Sequence, residues 1–336
     1  MISPDLFLSQ GEGVASLIRQ IRDGKMVHAL LISGEAGLGK WTLATALAAM
    51  LLCQEQDQSP CGHCRACLQM ENLEHPDLVV LQKGVPISPD VKKPKSTIPV
   101  DDIREMIRLT SVHALEGDRH VVLIRHAEDL GREAQNALLK TLEEPPEGVF
   151  FLLTSIRTHE LLPTIISRCR PLKLHPWGDD EVIRVLLERG IPNSRARQAA
   201  AAASGSFGTA IRISEDEEYW QFRDEVLQDF MNCPSRSDIL RNSSRWKDRK
   251  EDADAVFTIL EGVLHQLMQQ TYHLAEAVPE DLCPRAWQKF ASRAETADYI
   301  KLLDGILLAR KRVASAVNFQ AVVEQVILML MEAVHS

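Results

Sequence analysis

The feature that most constrains this chain is a glycine-rich turn between a short apolar run and a helical pattern, in residues 30–42 (LLISGEAGLGKWT). Four residues separate Gly34 from the Gly39-Lys40 pair, which is the frame of a phosphate-binding loop. In such a loop, backbone N–H groups bind phosphate oxygens and the lysine reaches the outer phosphates. The next residue should be serine or threonine, whose hydroxyl ligates Mg²⁺. Here that position holds Trp41.

Part of this loop keeps the residue types that bind a nucleotide. The candidate residues are Gly34, Gly37, Gly39, Lys40 and Thr42. The glycines and the lysine can hold phosphates through backbone N–H groups and the ammonium group alone. The sequence therefore leaves open whether a nucleotide binds without being hydrolysed.

The second element that an ATPase needs is a buried strand with an acidic end, which orients Mg²⁺ and the attacking water. The predicted strand at 121–124 is followed by Arg125 and His126, and Glu128 lies past the strand end. Arginine repels Mg²⁺, and Mg²⁺ prefers oxygen ligands to histidine. Trp41 and the Arg125-His126 pair both stand where ligands of the same Mg²⁺ ion are needed. We therefore expect neither Mg²⁺ binding nor hydrolysis.

Four of the seven cysteines are closely spaced, at Cys53, Cys61, Cys64 and Cys67. A Cys-x₂-Cys pair places two thiolates on one tight turn, and a ligand from the end of the preceding helix completes a tetrahedral site. We predict a structural Zn²⁺ site with no position open for water. An iron–sulfur centre is the alternative, and a disulfide is less favoured in a reducing compartment. His63 is predicted to be a bystander.

Strands and helices alternate over the first half of the chain. Strands are predicted at 27–32, 77–81, 120–124, 149–153 and 172–174, and helical patterns lie between them. This alternation predicts an α/β core, with a mostly parallel sheet and helices on both faces. Beyond Pro176 only helices are predicted, at 179–188, 194–203, 208–213, 218–231, 252–273, 284–311 and 317–334.

Length and charge limit the classes of function. The chain has 336 residues, enough for two or three domains, and a formal net charge of −9. This charge argues against unaided wrapping of DNA, because phosphate neutralisation needs a basic surface. We see neither a membrane-spanning run nor a signal peptide and expect a cytoplasmic protein. The lysine-bearing loop 82–99 (Lys92, Lys93, Lys95) is predicted to be solvated, and its contact with DNA stays open.

Several motifs together resemble one family, the clamp-loader subunits of bacterial DNA polymerase III, which are AAA+ proteins. They are the phosphate loop, the four cysteines, the run AQNALLKTLEEPP at 134–146 and the tripeptide Ser167-Arg168-Cys169. The resemblance covers residues 1–213, and the C-terminal helices share only length and helical character. It implies a RecA-like AAA+ domain at 1–175 with a zinc module at 53–67, a helical lid at 176–213 and a helical collar at 214–336.

The resemblance also implies a role. The family's ATPase subunits, gamma and tau, keep Gly-Lys-[Ser/Thr] and an acidic strand end, whereas this chain keeps neither. A non-hydrolysing stator subunit of the polymerase holoenzyme is therefore implied. Arg168, between Ser167 and Cys169, is implied to be an arginine finger that acts in trans on ATP bound to an adjacent gamma/tau subunit. In active members an arginine of the lid contacts the nucleotide, and residues 205–209 (GSFGT) contain none.

The partners implied are the gamma/tau and delta subunits and, through the complex, the sliding clamp and primer-template DNA at the replisome. The cofactor implied is structural Zn²⁺. One alternative is an active loader ATPase in which Thr42 or Glu128 replaces the missing ligands. The other is a zinc-containing adaptor that shares only the AAA+ scaffold.

Overall fold

The computed structural model describes residues 3–55, 59–89, 96–203, 205–272, 285–315 and 318–335. Lys92, Lys93 and Lys95 lie outside the described residues. The chain divides into two compact units, Met1–Trp177 with Ser206–Gly208, and Gly178–Gly205 with Thr209–Ser336. The division into three domains at 175 and 213 stays a prediction.

A five-stranded sheet forms the centre of the first unit, in the order β2-β3-β4-β1-β5, and every pair of neighbouring strands is parallel. The strands are β1 (Ala29–Ser33), β2 (Leu78–Leu81), β3 (His120–Ile124), β4 (Val149–Ser155) and β5 (Arg170–Lys173). Strands β1, β3 and β4 are buried along nearly their whole length, as continuous apolar runs predict for strands covered on both faces. The predicted parallel sheet is confirmed.

Helices cover this sheet on both faces. They are α1 (Glu12–Arg22), α2 (Lys40–Leu52), α3 (Arg65–Glu71), α4 (Val100–Thr110), α5 (Arg132–Glu143) and α6 (Pro163–Ile166). Alternate strand residues such as Leu31 and Leu153 share one apolar cluster with α4 and α5. Helix α2 packs against β3 and β4 next to the other set of strand residues, including Leu30 and Leu152. This arrangement is the predicted α/β core, a parallel sheet with helices on both faces.

The described secondary-structure elements that follow β5 are all helices. The helices are α7 (Asp179–Glu188), α8 (Asn193–Ala203), α9 (Phe207–Glu215), α10 (Glu217–Val226), α11 (Arg236–Arg245), α12 (Ala253–Thr271), α13 (Arg285–Ala291), α14 (Thr296–Ala314) and α15 (Phe319–His335). The second unit has its own apolar core, with Trp246, Trp287 and Tyr299 fully buried. Among the described residues, no helix has the length and apolar content of a membrane span.

Two predictions for the second unit were wrong in detail. The single helix predicted at 284–311 is two helices, α13 and α14. Glu295 is the N-cap of α14, and its backbone N–H donates to the Asp298 carboxylate over 2.9 Å. Helix α11 was not predicted, since its sequence RSDILRNSSR is mostly polar and buries few apolar side chains. The position of helix α11 therefore depends on its contacts with neighbouring helices and not on a continuous apolar face.

Candidate functional site

The phosphate loop occupies residues 34–39, between the carboxyl end of β1 and the start of α2. In parallel α/β sheets this is the edge at which ligands bind. Gly34, Gly37 and Gly39 have φ values of +145°, +76° and +87°, a region that side-chain-bearing residues rarely adopt. The glycines thus allow the backbone conformation that a phosphate-binding loop requires. Thr42 is the third residue of α2.

Lys40 does not extend outward from this loop. Its Nζ donates to the backbone carbonyls of Gly34 (2.9 Å) and Glu35 (2.5 Å), and only 6% of the residue is exposed. Burial lowers the pKa of Lys40, although the carboxylates of Glu128 and Glu35 oppose this effect. The amine that should meet the outer phosphates is therefore bound to the loop's own backbone.

The outer side of the loop is also covered. The backbone N–H of Gly208 donates to Gly37 O (2.9 Å), and the Ser206 hydroxyl donates to Ala36 O (3.3 Å). A Cβ at Gly37 would clash with the Ser206 hydroxyl. Trp177 Nε1 donates to the backbone carbonyl of Leu38 (3.1 Å). The arginine-free stretch at 205–209 thus contributes the residues that pack against the loop.

Trp41 and Arg125, two residues that depart from the ATPase pattern, contact each other. Arg125, directly after β3, places its guanidinium carbon 5.4 Å from the ring centroid of Trp41 on α2. Such a cation–π contact contributes about 0.5–1 kcal/mol at an exposed site. Because Trp41 has no oxygen ligand and Arg125 is a cation, this pair cannot supply the ligands that Mg²⁺ prefers. The sequence identified both residues but gave no sign of their contact.

Glu128 lies in a short 3₁₀ turn, Ala127–Asp129, with its side chain buried. Its Oε1 accepts a hydrogen bond from the backbone N–H of Ile156 (3.1 Å) and lies 3.2 Å from Nδ1 of His126. Burial raises the pKa of Glu128, but hydrogen bonds, including one from Ser155, outweigh burial and hold the pKa below its ordinary value. The carboxylate therefore binds the end of β4.

This placement predicts a pH-dependent stability difference for the substitution Glu128→Gln. A carboxylate whose folded-state pKa is depressed stabilises the fold above its unfolded pKa and loses that contribution as the pH falls through the folded value. We expect the variant to lose about 1–3 kcal/mol of unfolding free energy at pH 7. The difference from wild type should shrink below the ordinary pKa of 4.5.

Urea unfolding between pH 7 and pH 3 measures this difference. Glu133→Gln, an exposed site on α5, is the matched control for the loss of one carboxylate. A Glu128→Gln deficit that is the same at pH 7 and at pH 3 would show that the charge of Glu128 does not contribute.

The four clustered cysteines come together as predicted. Their Sγ atoms all lie within 4.8 Å of one another, with Cys53–Cys64 and Cys61–Cys67 both at 3.9 Å. A Zn–S bond of 2.3 Å in a tetrahedron gives S···S separations of roughly 3.8 Å. None of the described cysteines forms a disulfide. The thiol positions therefore fit a tetrahedral metal.

Backbone groups support this cluster. The N–H groups of Cys61, Cys64 and Cys67 each donate to a cysteine Sγ at 3.3–3.5 Å. Such hydrogen bonds favour thiolate over thiol and orient the ligands. His63 is exposed, with Nδ1 3.3 Å from Cys61 Sγ, and is not needed to complete the four.

Arg168 lies between α6 and β5, at the edge of the first unit. Its Nη2 pairs with the Glu143 carboxylate at the end of α5, and its Nη1 donates to Thr164 O (2.9 Å) and to the Ser167 hydroxyl (3.3 Å). About 30% of the side chain stays exposed. The guanidinium is thus held by three contacts, while part of the side chain stays exposed.

Cys169, the third residue of the tripeptide, has a different role. It is buried in the apolar cluster beneath α5, and burial raises the pKa of its thiol to about 12. A thiol in this state is neither a nucleophile nor a metal ligand at neutral pH. Cys169 therefore anchors the start of β5 in this apolar cluster and helps to fix the chain next to Arg168.

The part of the chain that contains these sites is similar to known proteins. Residues 9–178, just over half of the chain, match the family described as DNA polymerase III, delta subunit. The chain is also 37% identical over 214 residues to DNA polymerase III subunit delta' of Escherichia coli K12, covering 63% of this chain and 61% of that protein. The chain belongs to the DNA polymerase III delta-prime family. The family suggested by the motifs is confirmed.

Two further relatives, one a delta' subunit and the other a tau subunit, are similar to this chain over different lengths. DNA polymerase III subunit delta' of Bacillus subtilis 168 is 27% identical over 322 residues, 94% of each chain. DNA polymerase III subunit tau of E. coli K12 is 34% identical over 216 residues, 62% of this chain and 32% of that protein. The chain thus spans less than two thirds of the E. coli delta' subunit and nearly all of the B. subtilis one.

Proposed function

We propose that this chain is a non-hydrolysing stator subunit of a DNA polymerase III clamp loader, which supplies Arg168 in trans to ATP bound by an adjacent gamma/tau subunit. The observation that carries the proposal is the state of the phosphate loop. Lys40 is bound to the loop's own carbonyls, and Trp41 stacks with Arg125 where an ATPase needs metal ligands.

Hydrolysis needs a metal ion to neutralise the charge that develops on the phosphates. Glu128 is the nearest acidic candidate, but its carboxylate binds the backbone of Ile156. Turning its Oε1 toward a water or a metal would leave that buried N–H group without its acceptor, at a cost of about 1–3 kcal/mol. The geometry therefore favours an inert site over the alternative in which Glu128 replaces a missing ligand.

Arg168 is suited to act on a neighbour's nucleotide. Arginine stays protonated at all relevant pH values, and its planar guanidinium matches the oxygens of a phosphate. The side chain lies at a helix–strand junction and keeps an exposed face. An arginine supplied in trans stabilises the charge of the phosphoryl-transfer transition state.

The Cys53, Cys61, Cys64 and Cys67 cluster is proposed to hold one structural Zn²⁺. With four thiolates bound, no coordination position stays open for water, so the metal would cross-link the end of α2 to the segment that leads into α3. The zinc module at 53–67 is thereby part of the fold rather than of the reaction.

The partners are proposed to be the gamma/tau and delta subunits, assembled through a collar at 214–336, with a helical lid at 176–213. The apolar core of the second unit gives these helices a stable scaffold. With a net charge of −9, the chain would meet the sliding clamp and primer-template DNA through the complex rather than by binding DNA itself. A cytoplasmic location at the replisome follows from this role.

The first test is the ATPase activity of the purified chain. We expect no Mg²⁺-dependent turnover from the chain alone, and co-purification of the chain with gamma/tau and delta. Calorimetric titration with ATP asks separately whether the loop binds nucleotide. Turnover that Lys40→Ala abolishes would instead support an active ATPase, and failure to co-purify would support the adaptor alternative.

A further inference from the structure

Glu143 has an unusual place in its helix. It is the last residue of α5, and Pro145 follows two residues later. A carboxylate at a helix C-terminus lies close to the negative end of the helix dipole, which is unfavourable. The Glu143 carboxylate pairs with the Arg168 guanidinium, and this contact opposes the unfavourable interaction.

The contacts of Arg168 divide into two kinds. On one side, Nη1 donates to the neutral oxygens of Thr164 and Ser167, both within four residues in the sequence. On the other side, Nη2 meets the charged carboxylate of Glu143, 25 residues away. Because the guanidinium is ionised, all of these hydrogen bonds are charge-assisted, but only the one to Glu143 also joins opposite charges. Glu143 is therefore the restraint on the guanidinium that comes from outside its own segment and carries the opposite charge.

We propose that Glu143 is a positioning residue for Arg168, which helps to hold the guanidinium in one rotamer while the exposed part of the side chain stays available to a neighbour's ATP. The inference rests on the proposed action of Arg168 in trans. An arginine side chain has high rotamer entropy, which an unrestrained arginine would lose when it meets the transition state. Glu143 removes part of that loss beforehand, and α5 and α6 fix the distance between the two residues.

The test uses the complex assembled from this chain with gamma/tau and delta, and measures single-turnover ATP hydrolysis. We expect Glu143→Ala to slow hydrolysis at the adjacent site by about 3-fold, in line with the loss of one partly exposed ion pair while two other restraints remain. The ATP concentration that gives the half-maximal single-turnover rate should stay unchanged, because the restraint acts on a transition-state contact. Glu143→Gln keeps a carbonyl acceptor for Nη2 and should recover most of the rate.

Glu144→Ala is the matched control, since Glu144 is the next residue along the chain, exposed, and of the same charge. It should hydrolyse ATP like wild type. The double variant Glu143→Ala/Arg168→Ala should be no slower than Arg168→Ala alone, since Glu143 acts only through the arginine. Melting temperature and co-purification check that each variant folds and assembles.

The outcomes separate this inference from the proposed function. If Arg168→Ala slows the complex and both Glu143 variants turn over like wild type, the positioning role is overturned and the arginine finger stands. If the double variant is slower than Arg168→Ala by the full effect of Glu143→Ala, Glu143 acts through the fold and the inference is again overturned. If Arg168→Ala itself has no effect, the proposed function and the inference both fail.

Discussion

Replacing Arg168 by alanine is expected to lower the rate of ATP hydrolysis at the neighbouring gamma/tau site by about 1,000-fold. The substitution removes the guanidinium that lies exposed at the junction of α6 and β5. The transition-state charge at that site then has one cation fewer, while nucleotide binding keeps its contacts within the neighbour. The measurement is ATP turnover of the assembled complex in the presence of clamp and primed DNA. We expect the loss in kcat rather than in KM.

Arg157→Ala is the matched control for this substitution. Arg157 is also a partly exposed arginine of the first unit that pairs with a glutamate, Glu160, at 2.6 Å. Its removal changes the charge by the same amount, and we expect no effect on turnover. Arg168→Lys should remain slow, because an ammonium group lacks the planar fork that matches phosphate oxygens. Equal turnover by wild type and Arg168→Ala in a fully assembled complex would contradict the in-trans role.

Patterns of the sequence predicted four of the five strands well, because these strands are apolar over nearly their full length. Strand β5 (Arg170–Lys173) has a basic residue at each end and begins two residues before the strand predicted at 172–174. The runs at 120–124 and 149–153 correspond to β3 and β4, and the glycine-rich turn joins β1 to α2. Continuous apolar runs between helical patterns have one common solution, a parallel sheet covered on both faces. Local patterns were less informative in the second unit, where a break before Glu295 interrupts a long helical pattern and Asp298 caps the new helix.

The motif residues of the candidate sites were predictable, but their contacts were not. The sequence singled out Trp41 and Arg125 separately, yet their stacking joins residues that are 84 positions apart. Lys40 fits the loop motif, and only the structure shows its amine bound to Gly34 and Glu35. Glu143 belonged to the family run at 134–146, but its contact with Arg168 depends on how α5 and α6 pack. Such long-range contacts have no counterpart in local periodicity.

Removal of the proposed Zn²⁺ is expected to have the largest effect on stability. Structural zinc contributes apparent binding free energies of about 10–16 kcal/mol in small modules at pH 7, and this energy is coupled to folding. The zinc module has little apolar core of its own, since few of its described residues other than the cysteines are buried. Without the metal, the cysteines would take up protons and the cross-link between the four sulfur atoms would be lost, so the module should unfold.

Elemental analysis should find about one zinc per chain, and Cys64→Ser should reduce this value to near zero, since a structural site needs all four ligands. Chelation of the wild-type protein should expose four additional thiols to a titrating reagent, whereas buried Cys169 and Cys233 stay unreactive. His63→Ala is the matched control within the same turn, and its zinc content should equal that of wild type. Full zinc in Cys64→Ser would contradict the assigned ligand set. Iron in place of zinc would favour the iron–sulfur alternative, because the same four thiolates can hold either centre.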